Sequence, residues 1–176
     1  QPGYNPNDRS SLKPQALRNR AITDLIEPGS VMKPITMAIA LDAGVVSLNS
    51  KINTSPGYTK LGKFTIRDFK DYGVLSATQV IQKSSNVGIV KLSQDIDKDF
   101  FWQHLYGFGL GESTGVGYPG EVAGSLPNPM RWDKVTQGAL AYGYGLSVTP
   151  LQLAHAYLSL ATLGEKLPLT ILQTKG

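Results

Sequence analysis

The sequence predicts a mixed α/β domain, present here mainly as its helical part, and three observations carry that reading. Apolar residues recur at steps of three and four in five separate segments. A turn-rich stretch over residues 49–71 has room for a short hairpin around residues 60–66. The 176 residues, 41% hydrophobic and 17% charged, are enough for one domain with its own core, and this composition excludes a disordered chain.

The elements follow in order. Up to about Arg20 the chain is polar and punctuated by proline, which reads as an extended lead-in. The first long helix comes after Gly29. Met32, Ile35, Ile39, Ala43 and Val46 mark one face of it, while Met37, Ala40 and Leu41 cover much of the rest, so the helix should be buried nearly all round. Pro34 fits its first turn, where a missing N–H forfeits at most one intrahelical bond if Ser30 is the N-cap. Ala43-Gly44 lies near its end. Residues 77–96 are helical by pattern but flawed in the middle. Residues 99–106 form an amphipathic helix ended by Gly107, and residues 109–129 read as loop. Helices over about 132–142 and 150–163 close the readable part. No internal repeat, low-complexity tract or linker divides the chain.

Several function classes drop out on composition. The formal charge of +4 comes from scattered Lys and Arg, with no cluster to track a phosphate backbone, so nucleic acid is not an expected partner. Without cysteine there is neither a disulfide framework nor a thiolate metal site. His104 and His155 lack the spaced carboxylates a metal centre needs and read as core or surface fillers, so neither metal nor cofactor is expected. Residues 135–164 carry no charge, but Gly143, Gly145 and Pro150 interrupt them. The remainder is shorter than the ~20 residues of a membrane-spanning helix and reads as a buried core helix. Gln1-Pro2-Gly3-Tyr4 has neither the charged start nor the apolar run of a signal peptide, and the chain reads as an excised piece.

Lys33 is out of place. It stands in the first turn of the most apolar helix, three residues after Ser30 in Glu27-Pro28-Gly29-Ser30-Val31-Met32-Lys33-Pro34. Three apart, the two side chains share a helix face, so hydroxyl and amine can meet. The positive end of the helix dipole and apolar burial both disfavour an ammonium there, and a neutral lysine is a base. It can take the serine proton and so activate a weak nucleophile without histidine, while the helix N-terminus offers N–H groups to a developing oxyanion. The bland alternative makes Ser30 an N-cap and lets Lys33 snorkel to water.

A second irregularity supports the chemistry. Gln82-Lys83-Ser84-Ser85-Asn86-Val87-Gly88 sets poor helix formers inside an apolar-periodic segment. In a continuous helix Ser84 and Asn86 would point to nearly opposite sides, whereas a loop lets both face one cleft.

With Ser30-x-x-Lys33 followed by Ser84-x-Asn86, the chain resembles the penicillin-binding proteins and serine β-lactamases. Further stretches narrow the likeness: Arg18-Asn19-Arg20-Ala21-Ile22-Thr23-Asp24, Phe108-Gly109-Leu110-Gly111 and Tyr142-Gly143-Tyr144-Gly145-Leu146-Ser147-Val148-Thr149-Pro150 look like class B monofunctional penicillin-binding proteins, in particular the septal enzymes of bacterial division. The resemblance implies a D,D-transpeptidase that crosslinks peptidoglycan and is acylated by β-lactams. Ser30 would attack the carbonyl between the terminal D-alanines of a stem peptide and Lys33 would accept its proton. Ser84 would protonate the leaving amine, and Asn86 would hold Lys33 and the substrate amide. It also implies an inner-membrane protein with a periplasmic catalytic domain, working beside division proteins that include a septal glycosyltransferase.

One departure stands out. The family's third motif, Lys-Thr-Gly or Lys-Ser-Gly on a strand, does not occur, and Thr174-Lys175-Gly176 has the wrong order. Residues 1–176 are therefore expected to be a partial transpeptidase domain lacking its C-terminal strands, with anchor and pedestal preceding Gln1. Other motifs are decoys. Residues 57–64 almost spell a P-loop but lack the final Ser or Thr, and the G-x-G-x-x-G at residues 115–120 runs into Gly124 and Pro127 instead of a helix. Two rivals remain: a serine β-lactamase, disfavoured because Ser85 stands where class A enzymes have Asp and no E-x-x-x-N occurs, and a non-catalytic penicillin-sensing or scaffold domain.

Overall fold

A computed structural model describes residues 5, 7–8, 10 and 16–172. Most of the expected lead-in and Thr174-Lys175-Gly176 lie outside the described residues. Helix α1 (Arg20–Thr23) is a single turn, capped by the Asn19 side chain and flanked by an Arg18–Asp24 ion pair of 2.6 Å. A 3-10 turn over Gly29–Met32 then leads directly into α2 (Lys33–Asp42). Met32, Ile35, Ile39 and Ala40 of this stretch are buried, as the apolar periodicity predicts. Leu41 is 39% exposed, because the last turn of the helix emerges at the surface.

Four short strands follow, in two antiparallel pairs. Strands β1 (Lys51–Asn53) and β4 (Val74–Ser76) pair with Ile52 opposite Leu75, and both of these side chains enter the core. Between them β2 (Tyr58–Leu61) and β3 (Phe64–Arg67) form the expected hairpin, with Leu61 and Ile66 turned inward. The P-loop-like residues are this hairpin. The outer pair escapes sequence reading because three residues are too few to display a two-residue period.

The interrupted helix is two helices. Helix α3 (Ala77–Gln82) opens with a Ser76/Gln79 capping box, and α4 (Asn86–Gln94) is capped by Ser85. Helix α5 (Lys98–Gly107) keeps Gly107 as its last residue, with Phe108 at the C-cap, so the left-handed residue past its end is Gly109, φ +85°. Helices α6 (Lys134–Ala141) and α7 (Pro150–Ala161) complete the set, the latter with Pro150 in its first turn and a Thr149/Gln152 capping box. Gln152 also donates to the carbonyls of Glu112 (2.5 Å) and Ala123 (2.7 Å), which fastens the long loop after α5 to α7.

Helix α2 lies at the centre of these elements and packs against α3, α4, α5 and α7. Among the described residues no helix is long and apolar enough to cross a membrane. His155 is buried and hydrogen-bonded to the Leu167 carbonyl, and His104 bonds Asp42 at 3.0 Å, so both serve packing. Phe101 of α5 is fully buried and meets Trp132 edge-on at 6.0 Å between ring centroids. Phe101→Ala is expected to cost about 3–5 kcal/mol in chemical denaturation, through lost burial and a residual cavity. An unchanged midpoint would contradict this packing.

Candidate active site

The segment before α2 is held from one side by the tract around residues 142–148. Ile26 and Val148 exchange backbone hydrogen bonds of 2.9 and 3.0 Å, Gly29 N–H donates to the Gly143 carbonyl at 2.9 Å, and Gly145 N–H donates to Glu27 Oε1 at 2.9 Å. Gly143 has φ +91°, and a Cβ there would collide with the backbone of Gly29. From α7, the Tyr157 hydroxyl donates to the Val31 carbonyl at 2.7 Å, and Thr36 Oγ1 of α2 donates to the Ala141 carbonyl at 2.8 Å. The bonds to Gly29 and Val31 fix the turn that carries Ser30, and the others fix the chain on either side of it.

Ser30 itself is exposed. It is the second residue of the 3-10 turn, and the N-cap of α2 is Met32, which has no capping side chain. The bland reading of Ser30 as an N-cap is thereby replaced: its hydroxyl caps nothing. The bland reading of Lys33 fails as well, because the side chain is only 2% exposed and does not reach water.

Lys33 Nζ instead donates to three oxygens on the α3–α4 turn. These are the Ser84 carbonyl at 2.5 Å, Ser84 Oγ at 2.9 Å and Asn86 Oδ1 at 2.7 Å. Burial pushes its pKa down from 10.5 to about 8, against the attraction of the nearby Asp68 carboxylate, which pulls it up. About a tenth of the amine is then neutral at pH 7. The unfolded chain takes up this proton at the ordinary lysine value, so the penalty for charging Lys33 is fully present below pH 8. Stability from this group rises as pH climbs from about 8 towards 10.5.

The turn that meets Lys33 is strained. Ser84 has φ +51°, a left-handed conformation uncommon for a residue with a side chain. It allows Ser84 Oγ and Asn86 Oδ1 to converge on one amine, as the broken helical pattern anticipates. Among the described residues no hydrogen bond joins the Ser30 hydroxyl to Lys33. An ammonium can donate to all three of these oxygens but has no lone pair; loss of a proton leaves a lone pair that can accept from a hydroxyl.

Sequence reasoning missed one polar residue here. Asp68, just past β3, accepts from Ser85 Oγ at 2.6 Å and from Val87 N–H at 3.0 Å. The adjacent Arg67 carbonyl accepts from Asn86 Nδ2 at 2.9 Å. Nothing in an acid 17 positions before Ser85, in a turn-rich stretch, announces this contact. The arrangement can support acyl transfer: an accessible hydroxyl, a buried amine of lowered pKa, and a second hydroxyl already bonded to that amine. Among the described residues no cluster of His, Asp or Glu could hold a metal.

Similarity to known proteins narrows the class of chemistry this arrangement could serve. Residues 1–175 match the penicillin binding protein transpeptidase domain. The chain is 42% identical over 170 residues to the peptidoglycan D,D-transpeptidase FtsI of Escherichia coli strain K12, covering 97% of this chain and 29% of that protein. It is 43% identical over 169 residues to the probable peptidoglycan D,D-transpeptidase PenA of Neisseria gonorrhoeae, covering 96% and 29%. In three dimensions it superposes on the transpeptidase domain of Burkholderia pseudomallei penicillin-binding protein 3 with a TM-score of 0.87 and 42% identity, covering 90% of this chain and 48% of that one. The chain therefore belongs to the penicillin-binding protein transpeptidase family. It spans less than a third of the length of these curated relatives.

Gly143→Ala is expected to lower the unfolding free energy by about 2 kcal/mol or more, since the residue needs a left-handed φ and direct backbone contact with Gly29. A thermal midpoint equal to that of the parent protein would refute this close approach.

Proposed function

We propose that this chain is the Ser30-bearing part of a serine D,D-transpeptidase that crosslinks peptidoglycan stem peptides in septal wall synthesis and is acylated by β-lactams. The observation that carries the reading is the buried Lys33 amine, shared by Ser84 and Asn86 at the foot of the helix that Ser30 precedes. Membership of the transpeptidase family supplies the substrate class.

In this reading the neutral Lys33 accepts the Ser30 proton as Ser30 Oγ attacks the carbonyl carbon between the two terminal D-alanines. Ser84, bonded to the resulting ammonium, passes a proton to the departing D-alanine nitrogen as the C–N bond breaks. Asn86 holds Lys33 through Oδ1 and orients the substrate amide. The Ser30 ester is then attacked by the amine of a neighbouring stem peptide, which forms the crosslink and returns a proton to Ser30. Residues 1–176 are then part of a transpeptidase domain, with the third-motif strand in the remainder of that domain. The protein works at the bacterial inner membrane with this domain in the periplasm, beside division proteins that include a septal glycosyltransferase. No metal or cofactor enters the scheme.

The test labels the complete protein, as its source cell makes it, with a fluorescent penicillin. Ser30→Ala is expected to abolish labelling, and Lys33→Met to slow it by about 100-fold or more, the contribution of a general base. Label should persist for hours, whereas rapid loss would indicate a β-lactamase. Unimpaired labelling of Ser30→Ala would sink the assignment, and labelling without crosslinking of stem peptides would point to a sensor. Because the base form of Lys33 is the competent one, the acylation rate is expected to climb with pH and level off above about 8. A rate that is flat from pH 6 to 9 would exclude Lys33 as the base.

A further inference from the structure

Ser84 occupies a left-handed conformation that a serine does not favour, so something outside the turn must hold it there. Within the turn, Ser85 Oγ accepts from Gly88 N–H at 2.8 Å, the ordinary cap of α4. The external hold comes from the end of the β2–β3 hairpin. One oxygen of Asp68 accepts from Ser85 Oγ and the other from Val87 N–H, while the Arg67 carbonyl fixes the amide of Asn86. Ser85 is fully buried, so its bond to the carboxylate is shielded from competing water.

We infer that Asp68 is a positioning residue of this active site: it clamps the Ser84-to-Asn86 turn against Lys33 and is the negative charge that balances the buried amine. The inference rests on the proposed transpeptidase chemistry and goes one residue beyond it. Neither the motif spacing nor the family resemblance assigns this carboxylate a role.

The surroundings of Lys33 make the second part specific. From the α3–α4 turn it faces Ser84 and Asn86, both uncharged, and the neighbouring Lys83 is exposed. The hairpin brings in the Asp68 carboxylate, bonded to Ser85 and Val87 just beyond Ser84, and its attraction opposes the effect of burial. The acids flanking α2 are engaged elsewhere, Glu27 with Gly145 N–H and Asp42 with His104. Losing the Asp68 charge should therefore lower the pH at which Lys33 becomes a base, whereas loosening the turn alone should not.

The experiment compares Asp68→Asn, Asp68→Ala and Ser85→Ala in the complete protein, measuring the second-order rate of labelling by fluorescent penicillin from pH 6 to 10. Asp68→Asn keeps the side-chain volume and an acceptor for Val87 N–H, so the fold survives it. Its acylation midpoint is expected to move to lower pH. Asp68→Ala is expected to lose about tenfold or more in rate, the scale set by removing hydrogen bonds to a charged group. Ser85→Ala keeps the charge and is expected to be slower with an unmoved midpoint. An Asp68→Asn midpoint equal to that of the parent protein, or an Asp68→Ala rate equal to it, overturns the inference while leaving the Ser30 assignment standing. Labelling that survives Ser30→Ala overturns both.

Discussion

The structure depends on keeping one lysine amine out of water. Burying a lone ammonium costs several kcal/mol, so a helix that takes Lys33 inside must be met by oxygens placed to receive it. That demand accounts for the features around it. The segment after α3 stops being helix, Ser84 accepts an unfavourable φ, and Asn86 opens α4 with its side chain turned back towards α2. Each of these is costly alone and makes sense only as a partner for the amine.

Two unrelated parts of the chain hold the two halves of the site. The tract at residues 142–148 fixes the Ser30 turn through backbone bonds and through a glycine too small to push it away. The end of the β2–β3 hairpin fixes the Ser84 turn through Asp68 and the Arg67 carbonyl. Helix α2, packed on four other helices, is the common rigid member. Ser30 and the Ser84 turn therefore sit on separate supports, and tertiary packing sets how they face one another.

The electrostatics of the site are a balance of two opposing effects. Burial drives Lys33 towards the neutral amine and Asp68 draws it back towards the ammonium, and the outcome near pH 8 leaves both forms populated at neutral pH. In the proposed reaction, where the amine takes a proton and gives it back, such a value serves best. Complete neutralisation would forfeit the third hydrogen bond to the turn, and full charge would leave no lone pair for the serine.

Much of this was legible in the sequence, because it follows from local periodicity and from residue types that violate it. The long helices, the hairpin, the break between α3 and α4, and the selection of Ser30, Lys33, Ser84 and Asn86 as candidates rest on steps of three, four or two residues and on a lysine and three polar residues in apolar company. Boundaries were less legible: Ser30 proved to be inside a 3-10 turn and no N-cap, since the chain already coils over Gly29–Met32 before α2 begins. The β1–β4 pair was too short to show a period. The resemblance already implied that Asn86 holds Lys33; only the tertiary structure decided that Lys33 also bonds both oxygens of Ser84, and that Asp68 supports the turn. Those contacts join residues far apart in the chain, and the free energy of a buried charge depends on what surrounds it in space, which no pattern along a single strand of sequence encodes.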